Sequence, residues 1–103
     1  MALYKDDIGI SIDVDLTSGI DGGAMNLTNA VVTLIWRKPS GIASDLVMEI
    51  RDPRRGKVRY TTVNGDLDLV GIYRYQLRIE APGGVVYHSS MGTVEVLEPL
   101  VAT

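Results

Sequence analysis

Residues 64–77 read N-G-D-L-D-L-V-G-I-Y-R-Y-Q-L. Asn64-Gly65 is turn chemistry. Beyond Gly71, a period of two puts Tyr73, Tyr75, Leu77 and Ile79 on one face of a strand. Tyr73 stands two residues after Gly71 and a few after Leu67 and Leu69. That spacing predicts a tyrosine corner, in which the hydroxyl of a Tyr at a strand start bonds back to nearby backbone and pins a crossover between two sheets. The structural residues it implies are Gly71, Tyr73 and Tyr75.

Outward from this stretch, alternation dominates. Ile8, Ile10, Ile12, Val14 and Leu16 share one face of a strand over 7–16, with Ser11, Asp13 and Asp15 on the other. Val32, Leu34 and Trp36 share a face over 31–38, before the Pro39-Ser40-Gly41 turn. Leu46, Met48 and Ile50 form a third run, and Val58, Tyr60 and Thr62 a fourth. The strand at 72–80 is the strongest. Ala81-Pro82-Gly83-Gly84 turns the chain into 85–90, and 93–97 closes the pattern. No segment of useful length has a helical period. Seven short strands between Gly/Pro turns predict an all-β, immunoglobulin-like antiparallel β-sandwich of about seven strands. At 103 residues it is one domain spanning 1–103, with its core over about 7–97 and one long loop at 17–30. In antibody-type domains a buried Trp packs on the inter-sheet disulfide. Here Tyr75 stands where such a domain would have Cys, and its ring is expected to fill that space beside Trp36.

Composition narrows the function. There are no cysteines, so no disulfide or thiolate zinc site staples the fold. The N-terminal residues lack the apolar core of a signal peptide, and no run is long enough to span a bilayer. Folding in a reducing cytoplasm is expected, where the sequon Asn26-Leu27-Thr28 has no use. The net charge of −3 argues against general nucleic-acid binding. The charge is segregated: −4 over 1–30, +4 over 31–60 and −3 over 61–103. An acidic end and a basic middle suit contact with copies of the chain or with a charged neighbour in fixed register.

Chemistry has few candidates. His88 is the only histidine, and its same-face neighbour Ser90 lies roughly 6.5–7 Å along a strand, beyond hydrogen-bond reach. Asp13 and Asp15 share a face of a flat strand and read as solubilising charges. Asp66, Asp68 and Asp21 form only part of a calcium ligand set, and Asp66 is better read as a turn cap. No catalytic residue, cofactor or metal is expected. The basic cluster Arg51, Arg54, Arg55, Lys57 and Arg59 has no interleaved aromatic, which disfavours nucleic acid. It reads as an exposed hairpin for an acidic neighbour, so charge reversal at Arg54 and Arg55 should weaken assembly more than it lowers melting temperature.

The order G-I-D, L-T-N-A-V-V-T-L-I-W-R-K-P-S-G, G-K-V-R-Y, G-D-L-D-L-V-G-I-Y-R-Y-Q-L, P-G-G resembles a group of tailed-phage virion proteins. It includes the N-terminal immunoglobulin-like domain of siphophage upper baseplate proteins. The likeness runs from about Ile8 to Leu97 and is most specific at Arg37–Gly41 and Gly65–Tyr73. One departure is the insertion of Gly22-Gly23-Ala24-Met25-Asn26 between Asp21 and Leu27. Such baseplate proteins also continue into a fibre-like or receptor-facing region, whereas the sequence here ends at Thr103.

The resemblance implies a non-enzymatic virion structural protein: a multi-copy adaptor or fibre anchor of tail, baseplate or neck, assembled in the host cytoplasm. The alternative is a capsid decoration protein. A carbohydrate-binding adsorption module is a third reading, for which only Tyr4 and Tyr87 are available as outward aromatics. Expected partners are other virion proteins and copies of the chain itself, not nucleic acid or membrane. The contact residues follow from expected exposure: Gly22, Met25 and Asn26 in the long loop, Arg54 and Arg55 in the hairpin, and Leu3, Tyr4, Leu100 and Val101 at the termini.

Overall fold

A computed structural model of the chain describes residues 2–17, 23 and 25–100, with only the backbone of Ala2. Nine strands form among them: β1 (Ala2–Tyr4), β2 (Ser11–Asp15), β3 (Val31–Arg37), β4 (Ala43–Val47), β5 (Glu49–Asp52), β6 (Lys57–Thr61), β7 (Gly71–Ala81), β8 (Val85–His88) and β9 (Gly92–Leu97). A 3-10 turn, Pro53–Arg55, joins β5 to β6. The larger sheet runs β1-β9-β7-β3-β4, with β8 pairing the far end of β7; the smaller runs β2-β6-β5. β8 and β9 pair successive stretches of β7, at Arg78–Ala81 and Gly71–Tyr75.

The expected all-β sandwich is present, with three differences in its strands. The run at 7–16 is a strand only over Ser11–Asp15, and Ile8, expected on its core face, is exposed. Ala2–Tyr4 forms a strand that runs parallel to β9, so the larger sheet is not wholly antiparallel. The run at 46–51 is two strands in different sheets. Met48 is the crossing point, its N–H donating to the Val32 carbonyl at 2.9 Å. Alternation hides this change because Leu46, Met48 and Ile50 all turn their side chains to the core, on whichever sheet they stand.

The core is the meeting of the two inner faces. Trp36, Leu34, Tyr73, Leu77, Val94 and Val96 come from the larger sheet, and Ile12 and Val58 from the smaller. Each such aliphatic side chain gains about 1.5–3 kcal/mol from leaving water, set against the entropy of ordering the chain. Tyr73 is 0 % exposed, yet its hydroxyl is satisfied: it donates to the Leu69 carbonyl and accepts from the Leu69 N–H, both at 3.0 Å. This is the corner read from the spacing. The Trp36 ring lies 5.0 Å from that of Tyr73 and 6.4 Å from that of Tyr75, its register partner. Gly92 opposes Tyr75 on β9, and a Cβ there would collide with the Tyr75 ring, so the glycine makes room for it.

The two stretches that carry the phage resemblance most specifically interlock. Trp36 Nε1 donates to the Asp66 carbonyl at 3.1 Å. Lys38 Nζ reaches both the Gly65 carbonyl and Asp68 Oδ1 at 2.8 Å. Pro39 packs on Gly71, where φ is +138° and a Cβ would meet the proline ring. These contacts tie the end of β3 to the turn before β7 and to its first residue.

Candidate interaction surfaces

At one end of the sandwich the structure joins two of the expected contact elements. Leu16 N–H donates to the Gly56 carbonyl at 2.8 Å, Met25 N–H to the Leu16 carbonyl at 3.0 Å, and Leu27 N–H to the Pro53 carbonyl at 2.7 Å. Gly56 sits at φ +67°, closed in by the Leu16 and Met25 carbonyl oxygens, so a side chain there has no space. Met25 is half-buried against the core and Leu27 fully buried; Asn26 is exposed, its Oδ1 accepting from Thr28 N–H and Oγ1. Arg54 and Arg55 project from the adjoining turn, and Arg55 stands 3.7 Å from Asp52. Gly22 and Asp21 lie outside the described residues, as does Val101.

The terminal candidates divide. Leu3 is buried, opposite Val96 in β1, and does not present itself to a partner. Three residues are too few for a sequence to declare them a strand, so Leu3 read as a terminal contact candidate. Tyr4 and Leu100 are exposed, Leu100 fully so.

Part of the segregated charge is neutralised inside the molecule. β2 and β6 pair so that Asp13 opposes Arg59 and Asp15 opposes Lys57. Arg59 Nε donates to Asp13 at 2.6 Å, which raises the arginine above its ordinary value, and Lys57 reaches Asp15 at 3.4 Å. Arg51 pairs with Glu49 at 3.0 Å. Of the basic cluster, Arg54 has no ion pair among the described residues. The complementarity visible along the sequence is thus used in part within the fold, by exposed pairs that solvent screens.

A concavity of about 970 Å³ opens on the inner face of β7 and β8, which the three-stranded sheet does not cover among the described residues. Val14, Leu16 and Met25 form one wall, and Tyr75, Leu77, Ile79 and Tyr87 the other. The edges of β2 and β8 flank it, each without a further strand partner among the described residues. His88 lies at its rim and is exposed. Ser89 Oγ accepts from the Leu77 N–H and donates to the Ser90 carbonyl.

Asp66 Oδ2 accepts from Tyr60 Oη at 2.6 Å and from the Val63 N–H at 2.9 Å, closing the 63–66 turn as a cap. Burial, then this carboxylate, raises the Tyr60 phenol above its ordinary value. Lys38 holds Asp68 below the usual carboxylate range. Both carboxylates of the D-x-D are therefore committed, and no cluster of metal-ligating side chains occurs among the described residues. Tyr4 and Tyr87 stand on opposite faces of the larger sheet, Tyr4 outward beside Leu97 and Tyr87 inward in register with Ile79, so they build no shared platform.

No family model matches the sequence, and no curated protein matches it. Solved structures share its fold. The N-terminal domain of phage TP901-1 ORF48 superposes with a TM-score of 0.73 at 15 % identity, covering 92 % of this chain and 81 % of that one. CopC from Methylosinus trichosporium OB3b superposes at 0.62 and 9 % identity, covering 99 % and 87 %. The resemblance to a phage domain read from the sequence holds at the level of the fold.

Proposed function

We propose that this chain is a non-enzymatic structural protein of a tailed-phage virion, a multi-copy adaptor or fibre anchor of tail, baseplate or neck. A sandwich alone does not select this role, since CopC has one too. The observation that carries the reading is the coincidence of two likenesses. The fold follows a phage domain over 92 % of the chain, and the motifs that resemble phage virion proteins, 37–41 and 65–73, are the segments that interlock in space.

The geometry supports attachment over chemistry. Candidate reactive groups are solvated, committed to turns or paired across strands. Met25, Asn26, Arg54 and Arg55 sit together at one end, where a neighbouring protein can reach all four. Interruption of the gene by an amber codon tests the role. In a non-suppressing host the expected result is filled heads with tails that are absent, incomplete or unable to adsorb. Fully infectious particles would exclude it. Normal tails on unstable heads would favour the decoration reading.

A further inference from the structure

We propose that the depression between the β3–β4 turn and the start of β7 is a docking seat for an acidic segment of a partner protein, with a carboxylate lying between Arg37 and Arg74. The two arginines are direct register partners across β3 and β7, and both are exposed. Like charges directly opposite one another destabilise a sheet. On β2–β6 the molecule pairs each cation with a carboxylate. On β7, Arg78 stands 3.8 Å from Asp45 and 3.2 Å from Glu80, as ion pairs rather than aligned hydrogen bonds.

Arg37 and Arg74 break this habit, since neither has a carboxylate within ion-pair distance among the described residues. Thr93 opposes Arg74 on its other side, and Glu95 opposes Ile72 instead. Arg37 Nη1 donates to the Gly41 carbonyl at 3.1 Å, which orients the guanidinium and leaves its charge uncompensated.

The space between them fits such an occupant. It measures about 260 Å³ and is lined by Arg37, Lys38, Pro39, Gly41, Ile72 and Arg74. Lys38 is already spent on Asp68 and Gly65, so the available cations are the two guanidinium groups. Planar guanidinium forks match a carboxylate in two-point contact. Ile72, half exposed, offers apolar contact beside them. The seat thus selects an acidic residue with an apolar neighbour. Contact between Pro39 and Gly71 holds its two halves together before anything binds. The seat does not depend on the virion reading.

Titration of the isotope-labelled chain with acetylated hexaglutamate, followed by NMR, tests it. Saturable shifts are expected at Arg37, Gly41, Ile72 and Arg74. Arg74→Gln and Arg37→Gln should each weaken binding roughly threefold to fivefold, the worth of an exposed charge contact. In the free chain, Arg74→Gln should hold or raise the melting temperature, because it removes a like-charge opposition. Several results would overturn the assignment: shifts confined to the Arg54–Arg55 turn, a fall in melting temperature with unchanged binding, a response to hexathymidylate but not hexaglutamate, or shifts at the seat on concentrating the chain alone. The last two would hand the seat to nucleic-acid phosphate or to a second copy.

Discussion

Tyr73 is the residue on which the fold turns, because one buried hydroxyl closes both hydrogen bonds to Leu69. Tyr73→Phe keeps the ring against Trp36 but strands a backbone donor and an acceptor. It should cost about 1–3 kcal/mol in urea unfolding, whereas Tyr4→Phe, on an exposed ring, should cost almost nothing. Asp68 gives a pH-dependent counterpart. Its folded pKa is lowered by Lys38, so its contribution is present above the ordinary carboxylate value, about 3.9, and fades as pH falls through the lowered one. Asp68→Asn should therefore reduce melting temperature slightly at pH 7, and by less as pH falls through the lowered value, as thermal melts across that range would read. Tyr73 and Asp66 were legible because each role follows from local spacing. Arg37 opposite Arg74 was not, since opposition across two strands needs the register, which neither strand's own alternation supplies.

At the scale of elements, the 53–56 turn and the loop before β3 act as one unit, tied through Leu16, Met25 and Leu27. Gly56 is where they touch. Gly56→Ala must both hold a positive φ and displace backbone oxygens, so it should destabilise by more than the roughly 1 kcal/mol expected for the backbone term alone. Gly83→Ala, at φ +83° with open space around it, isolates that backbone term; equal losses for the two, measured by chemical denaturation, would contradict the coupling. Strand positions were readable from period two wherever one face meets the core. That signal failed at Met48, where the strand changes sheet without changing the phase of its side chains, and at β1, which is too short to show a period. The contact residues were legible only as candidates for exposure, and burial of Leu3 shows the limit of that inference.

Across the whole molecule, a charge pattern that reads along the chain as a means of meeting other copies is partly satisfied within the fold, by Asp13–Arg59 and Asp15–Lys57 where β2 lies against β6. What remains for partners is narrower: Arg54 and Arg55 beside Met25 and Asn26 at one end, and Arg37 with Arg74 on the outer face toward the other. On the reading proposed above, two separate surfaces on one sandwich would let it join different neighbours, as an adaptor does. Copy number per purified particle, by quantitative mass spectrometry against the major capsid protein, tests this most directly. The account predicts a handful to a few dozen copies, set by the symmetry of a tail, baseplate or neck. A simple ratio to the capsid subunit would contradict the adaptor reading in favour of decoration, and absence from particles would contradict a virion role altogether.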